Sequence, residues 1–331
     1  MADDFDQMVS GAMNALQHVL HMNNGDNVLV VTDRRKADIG KAFASGAKQL
    51  GGRPVLYSLP EEERPLHEIP IELLSLWGNF EITINAFEGF PEETPFRIKL
   101  SAMEMKKGAK VGHAPGINKG MMIEGPMNVD YGIIAKEAIK LMKAFKDATL
   151  VHITAPSGTD IRVNITDRYF ETDVIIAKGM IGNLPAGEIW SAPVETDANG
   201  VIVCDGSIGD IGNVRSPLKI TVKDGKAISY ECADTRLVER VKELLSVDAM
   251  ASVIGELGIG LNPAARLTGN LLEDEKAGGT AHIAFGCNID MTNGKNDSQT
   301  HRDFLFHRPT FVVQFKDGSE KVLIKDGHLQ V

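Results

Sequence analysis

The sequence predicts an α/β protein in two parts: an N-terminal doubly wound, mostly parallel sheet domain over residues 1–147, and a C-terminal, mostly antiparallel α+β domain over residues 148–331. Three observations predict it. The first part alternates continuous apolar β runs with stretches of helical spacing, an order that builds parallel βαβ units. From Ala148 onward, short β runs are separated by Gly, Asp and Asn instead. The length of 331 residues also exceeds what one hydrophobic core usually organises.

Residues 8–22 carry Met8, Ala12, Ala15, Leu16, Val19 and Leu20 at helical spacing, and Asn23-Asn24-Gly25-Asp26 stops that helix. Residues 28–33 form a continuous apolar β run, a helix spans 37–50 and ends at Gly51-Gly52, and a second strand spans 54–59. A helix at 71–77 leads to a strand at 81–86; a further helical stretch leads to one at 110–114. Glu61-Glu62-Glu63-Arg64 reads as a solvated loop. The sheet lacks a phosphate signature, because no GxGxxG or GxxxxGK follows a strand and Gly112-His113-Ala114-Pro115-Gly116 has the wrong spacing. This half is expected to be scaffold. A helix at 131–145 closes it.

In the second half, strands are expected at 148–154, 160–164, 201–204, 217–222 and 226–231, with a helix at 236–245. Asp224-Gly225, Asn199-Gly200 and Asp317-Gly318 are hairpin signals, since these pairs tolerate positive φ. Glu273, Asp274 and Glu275 read as a charged surface loop.

Composition narrows the function. A formal charge of −10 argues against a nucleic-acid partner, which needs clustered Lys and Arg. No apolar run of about eighteen residues occurs, so no membrane span is expected. The acidic opening Met1-Ala2-Asp3-Asp4-Phe5-Asp6 is unlike a secretory signal. Cys204, Cys232 and Cys287 are odd in number and widely spaced, as reduced thiols of a cytoplasmic protein would be.

Four places in the second half carry candidate chemistry. Glu188 sits in Asn183-Leu184-Pro185-Ala186-Gly187-Glu188-Ile189-Trp190, beside a Pro and Gly turn. Glu256 is the one acid in Gly255-Glu256-Leu257-Gly258-Ile259-Gly260, where a charge needs a partner. His282 interrupts the apolar strand Thr280-Ala281-His282-Ile283-Ala284. His301 and Asp303 lie two apart, so they share one face of a strand. Taken singly, Glu188 reads as a surface glutamate, His282 as a hydrogen-bonded core residue, and His301 with Asp303 as a structural pair. Taken together, two Glu, two His and one Asp are the mixed oxygen and nitrogen set that holds Zn, Co or Mn in hydrolytic sites. That makes the C-terminal part the metal-binding domain.

These residues resemble the aminopeptidase T and aminopeptidase S metallopeptidases, through Pro156-Ser157-Gly158-Thr159-Asp160, the Glu188 and Glu256 motifs, His282-Ile283-Ala284-Phe285-Gly286 and His301-Arg302-Asp303-Phe304. The resemblance implies a dinuclear centre with Glu188, Glu256, His282, His301 and Asp303 as ligands, and Glu188 or Glu256 as the catalytic base. It further implies two divalent ions per chain (Zn, Co or Mn), a peptide or small amide substrate, and a homodimer. The family pattern expects a tyrosine seven residues after its first His; Ile289 stands there, flanked by Asn288 and Asp290. Ring-cleaving dihydroxypyridine dioxygenases look similar in fold and use one Fe(II), for which His282, His301 and Asp303 would be the triad; that group places a His where this chain has Glu256. A catalytically silent metal-binding relative is the third reading.

Overall fold

The computed structural model describes residues 3–331; Met1 and Ala2, where the acidic opening run begins, lie outside the described residues. The chain divides into two compact units, one of Met1–Ala135 with Asp173–Gly187 and the other of Lys136–Thr172 with Glu188–Val331. The sequence predicts one division, between residues 147 and 148; the compact units divide inside a helix, and a short segment returns to the first.

In the first unit, α1 (Asp4–His18), β1 (Asn27–Thr32), α2 (Ala37–Gln49), β2 (Arg53–Ser58), α3 (Ile71–Leu76), β3 (Ile82–Ala86), α4 (Thr94–Lys106), β4 (Lys110–His113) and α5 (Lys119–Ile123) alternate as expected. The chain then runs through α6 (Tyr131–Ala144) and the second unit's β5 (Ala148–Thr154), β6 (Asp160–Asn164) and β7 (Glu171–Thr172), and comes back as β8 (Ile181–Asn183). The sheet order is β2-β1-β3-β4-β8. All four pairings are parallel, and β1 and β3 are buried along nearly their whole length because interior parallel strands are covered on both faces. Leu29, Val31, Leu59, Leu66, Leu73, Phe87, Phe96 and Leu100 form a core cluster.

Two charged groups inside this unit depart from a simple apolar interior. Arg64, read from sequence as part of a solvated loop, is buried: its guanidinium reaches Asp33, meets Glu93 at 2.5 Å, and lies 4.4 Å over the Phe90 ring. Only the preceding Glu62 and Glu63 are exposed. The guanidinium fork satisfies two buried carboxylates at once, which is why it turns inward.

Glu104 on α4 is fully buried, and the Asn85 side chain donates a 2.7 Å hydrogen bond to it. Burial pushes its carboxyl from an ordinary 4.5 up to about 8, against the hydrogen bonds from Asn85 and Thr83. An acid whose folded value is raised stabilises the fold fully below its unfolded value and loses that contribution as pH rises. Stability is therefore expected to fall between pH about 4.5 and 8, at up to about 1.4 kcal/mol per pH unit from this one group. Urea melts of the wild type and Glu104→Gln across that range check it: the variant should have the flatter profile, and parallel profiles would refute the assignment.

The second unit adds β9 (Glu188–Ser191), β10 (Ala198–Cys204), β11 (Ser207–Ile208), β12 (Gly212–Asn213), β13 (Leu218–Lys223), β14 (Lys226–Glu231), α7 (Thr235–Leu244), β15 (Ile254–Gly260), α8 (Leu271–Asp274), β16 (Thr280–Gly286), β17 (His301–His307), β18 (Thr310–Phe315), β19 (Glu320–Lys325) and β20 (His328–Leu329). An eight-stranded sheet runs β14-β13-β10-β6-β5-β18-β19-β20, and a seven-stranded sheet runs β12-β11-β17-β16-β15-β9-β7. Their strand pairings are antiparallel, as expected. Asp224 and Gly225, at φ 50° and 77°, turn β13 into β14. Asn199-Gly200 is no hairpin; it lies inside β10. Gly200 is needed there because a Cβ would come within 2.2 Å of the Asp160 carbonyl oxygen on β6.

The charged run at 273–275 is also not a surface loop. Glu273 and Asp274 are buried, and their carboxylates accept backbone N–H groups: Glu273 from Arg266 at 3.1 Å, and Asp274 from Thr268 at 2.7 Å and Gly269 at 3.1 Å. The charges turn inward because the preceding turn offers them unpaired donors. Among the described residues no helix is long and apolar enough to cross a membrane. The three cysteines are free, with Cys204 buried and Cys232 and Cys287 half-buried.

Candidate metal centre

Strand register brings the five candidate ligands to one place. In an antiparallel pair, directly opposed residues point to the same face. Gly260 opposes Glu188, Glu256 opposes Ala284, and Gly258 opposes His282. On the other side of β16, Ala284 opposes Asp303 and Gly286 opposes His301. Glu188 on β9, Glu256 on β15, His282 on β16, and His301 and Asp303 on β17 therefore share one face of the sheet. The opposite face carries Leu257, Ile259, Ile283, Phe285, Phe304 and Phe306, all buried, with the Phe285 and Phe304 rings edge to face at 5.6 Å. That apolar face fixes the register, because a slip by one residue would exchange the two faces.

Small residues make room among the ligands. Gly258, across from His282, is the tightest case: a Cβ there would lie 1.9 Å from His282 Nε2. The imidazole lies on the bare backbone of the neighbouring strand, and only glycine permits it. The register shifts between Ile254 and Glu256, so Gly255 is the extra residue of a β-bulge. The bulge keeps Ile254 on the apolar side with Phe285 while turning Glu256 to the ligand side.

Glu256 is central to the cluster. Its Oε1 is 3.1 Å from His282 Nε2 and its Oε2 is 3.1 Å from His301 Nε2. His282 Nε2 also lies 3.6 Å from Glu188 Oε2 and 3.9 Å from Asp303 Oδ1, while His301 Nε2 is 3.6 Å from Asp303 Oδ1. The ligand atoms form two overlapping groups, Glu188-Glu256-His282 and Glu256-His301-Asp303, each within 4.8 Å. Glu188, Glu256, His282 and Asp303 are buried, and the His301 side chain is 31% exposed.

The hydrogen-bond chemistry fits a cation. His301 Nδ1 is 2.7 Å from the Cys287 carbonyl oxygen, which can only accept, so Nδ1 carries the proton. In the neutral ring Nε2 then holds a lone pair aimed at carboxylate oxygens, an arrangement that calls for a positive charge between them. A backbone carbonyl behind a ligand imidazole is the usual outer support of a metal-bound histidine. With protons alone to serve, burial disfavours the charged imidazoles, yet hydrogen bonds and charge from Glu256, Glu188 and Asp303 push His282 up to about 9 and raise His301 well above its usual range. Burial would raise Glu256, but its hydrogen bonds from His282 and His301 hold it far below the ordinary carboxylate range. The same field that raises these imidazoles would favour a divalent ion.

One residue of the centre, Lys276, is not among those the sequence singles out. Lys276 is fully buried, with Nζ 2.5 Å from Glu188 Oε1 and a second ion pair to Glu275. The available signal was a short charged run placed directly before the apolar His282 strand. Ile289, at the position of the family tyrosine, is 56% exposed, and Asp290 beside it is exposed as well.

Comparison with known proteins adds a lineage to this geometry. The profile of a family described as thermophilic metalloprotease (M29) matches residues 134–329. Aminopeptidase PepS of Streptococcus thermophilus is 25% identical over 202 residues, which is 54% of this chain and 48% of that protein. The chain thus spans about half the length of this curated relative. Among solved structures, 2,5-dihydroxypyridine dioxygenase from Pseudomonas putida KT2440 superposes with a TM-score of 0.73 at 14% identity, covering 99% of this chain and 98% of the other. Wild-type AmpT from Thermus thermophilus superposes at 0.71 with 16% identity, covering 98% and 99%. At these identities the two structures share the fold, whatever their chemistry.

Proposed function

Because this chain belongs to the thermophilic metalloprotease (M29) family, we propose that it is a metal-dependent aminopeptidase-like hydrolase that removes an N-terminal amino acid from a peptide or small amide. The observation that carries the proposal is the meeting of Glu188, Glu256, His282, His301 and Asp303 on one sheet face. The two overlapping ligand groups offer places for divalent Zn, Co or Mn. Such an ion, when bound, supplies Lewis acidity and lowers the pKa of water.

The protein's own part is positional and protolytic. Glu256 fixes both imidazoles through its two oxygens, and the Cys287 carbonyl fixes the tautomer of His301. Glu188 and Glu256 are the carboxylates placed to accept the proton of the attacking water and return it to the departing amine. The half-exposed His301 edge is the approach for substrate, and the carboxylates of the cluster attract its free α-ammonium. The dioxygenase alternative would need only His282, His301 and Asp303 with Fe(II), and gives Glu256 no task despite its contacts to both imidazoles; the hydrolase is preferred on that ground. We further place the protein in the cytoplasm, on its free cysteines, and as a homodimer, on the family resemblance. The catalytic part is proposed to be residues 148–331.

Aminoacyl p-nitroanilides test the reading. Chelation is expected to lower turnover at least about 100-fold, and Zn, Co or Mn to restore it, with N-acetylated substrates left uncleaved. Turnover indifferent to chelation, or none with any of the three metals, would remove the proposal. Oxygen consumption with Fe(II) and a dihydroxypyridine would replace it by the alternative.

A further inference from the structure

Lys276 is a buried ammonium inside a cluster whose chemistry calls for cations. Its Nζ is 2.5 Å from Glu188 Oε1 and also pairs with Glu275. Of the two ligand groups, only the one with Glu188 and His282 includes a carboxylate held by this ammonium; Glu256, His301 and Asp303 form the other. A divalent ion entering the first group would have to share Glu188 with a positive charge already 2.5 Å from it. In a buried place that repulsion is poorly screened.

We propose that the Lys276 ammonium stands in for one of two metal ions, so that each chain holds a single divalent cation, at Glu256, His301 and Asp303. This rests on the metal-dependent reading above and narrows it. Glu188 then gives up the ligand role and keeps the proton-accepting one, with Lys276 orienting its carboxylate. The loop after β16 points the same way, because Ile289 has no side-chain donor atom and Asp290 belongs to neither ligand group. Lys276 is thus a positioning residue that sets metal count.

The test reads stoichiometry. Protein loaded with excess Zn, Co or Mn and desalted is measured by native mass spectrometry and elemental analysis, alongside Lys276→Arg, Lys276→Gln and Glu188→Gln. One ion per chain is expected in the wild type and in Lys276→Arg, which keeps the charge, and a second ion in Lys276→Gln. Glu188→Gln is expected to retain one ion with less than about a tenfold change in affinity; it serves if Lys276→Gln does not fold. Two ions in the wild type, an unchanged count in a folded Lys276→Gln, or loss of the ion in Glu188→Gln would each overturn the inference and leave a metal hydrolase intact. No ion in the wild type would overturn the hydrolase reading itself.

Discussion

Glu256→Gln is expected to lower aminoacyl anilide turnover by about 10²- to 10⁴-fold and to strip the protein of bound metal. No other residue belongs to both ligand groups, and none touches both imidazoles at 3.1 Å. An amide keeps the shape of the carboxylate but removes the charge that the buried imidazoles and any divalent ion require. The loss should therefore appear as both reduced occupancy and reduced kcat. Turnover with and without added metal, together with metal content and near-ultraviolet circular dichroism, separates this from misfolding. A folded variant with wild-type turnover would end the assignment of the whole cluster, since its central member would be idle.

Arg64→Met is expected to be the most damaging single change to the parallel-sheet unit, costing about 3–5 kcal/mol. The substitution keeps length and some of the packing on Phe90 but strands the Asp33 and Glu93 carboxylates, both fully buried. Removing one partner of a buried ionic network costs far more than the network contributes relative to an apolar replacement, because the desolvated charges that remain lose the guanidinium and keep backbone N–H partners, Lys36 and Glu88 for Asp33 and Leu66 for Glu93. Arg64→Lys should recover only part of the loss, as a point charge cannot reach both carboxylates as a fork does. Urea denaturation measures it; a change under about 1 kcal/mol would mean that water reaches the pair.

Much of this was legible in the sequence, for a physical reason. Every candidate ligand but Glu188 is a chemical misfit: Glu256 in a glycine-rich apolar run, His282 inside a buried strand, and His301 two residues from Asp303. Misfits in strands with a strong period of two are forced onto the face opposite the apolar residues, so convergence follows once the strands pair. What stayed hidden depends on contacts distant in sequence. Lys276 and Glu275 belong to a run of charges that looks solvated until the backbone of Arg266, Thr268 and Gly269 folds over it. Arg64 looked solvated for the same reason, with its partners 29 and 31 residues away. β8 is three residues long, too short for any periodicity, and its return to the first sheet shows only in its pairing with β4. Gly258 was visible as one glycine among several, but why it must be glycine depends on the ring that rests on it.

The two imidazoles differ in one respect that bears on how the centre is assembled. His282 has no contact with solvent, whereas His301 is 31% exposed. A divalent ion held by this cluster would be reachable from solvent on the His301 side and not on the His282 side. Alterations around His301 should therefore change how fast the centre loads, while those around His282, which has no solvent contact, should act only through the placing of Glu256.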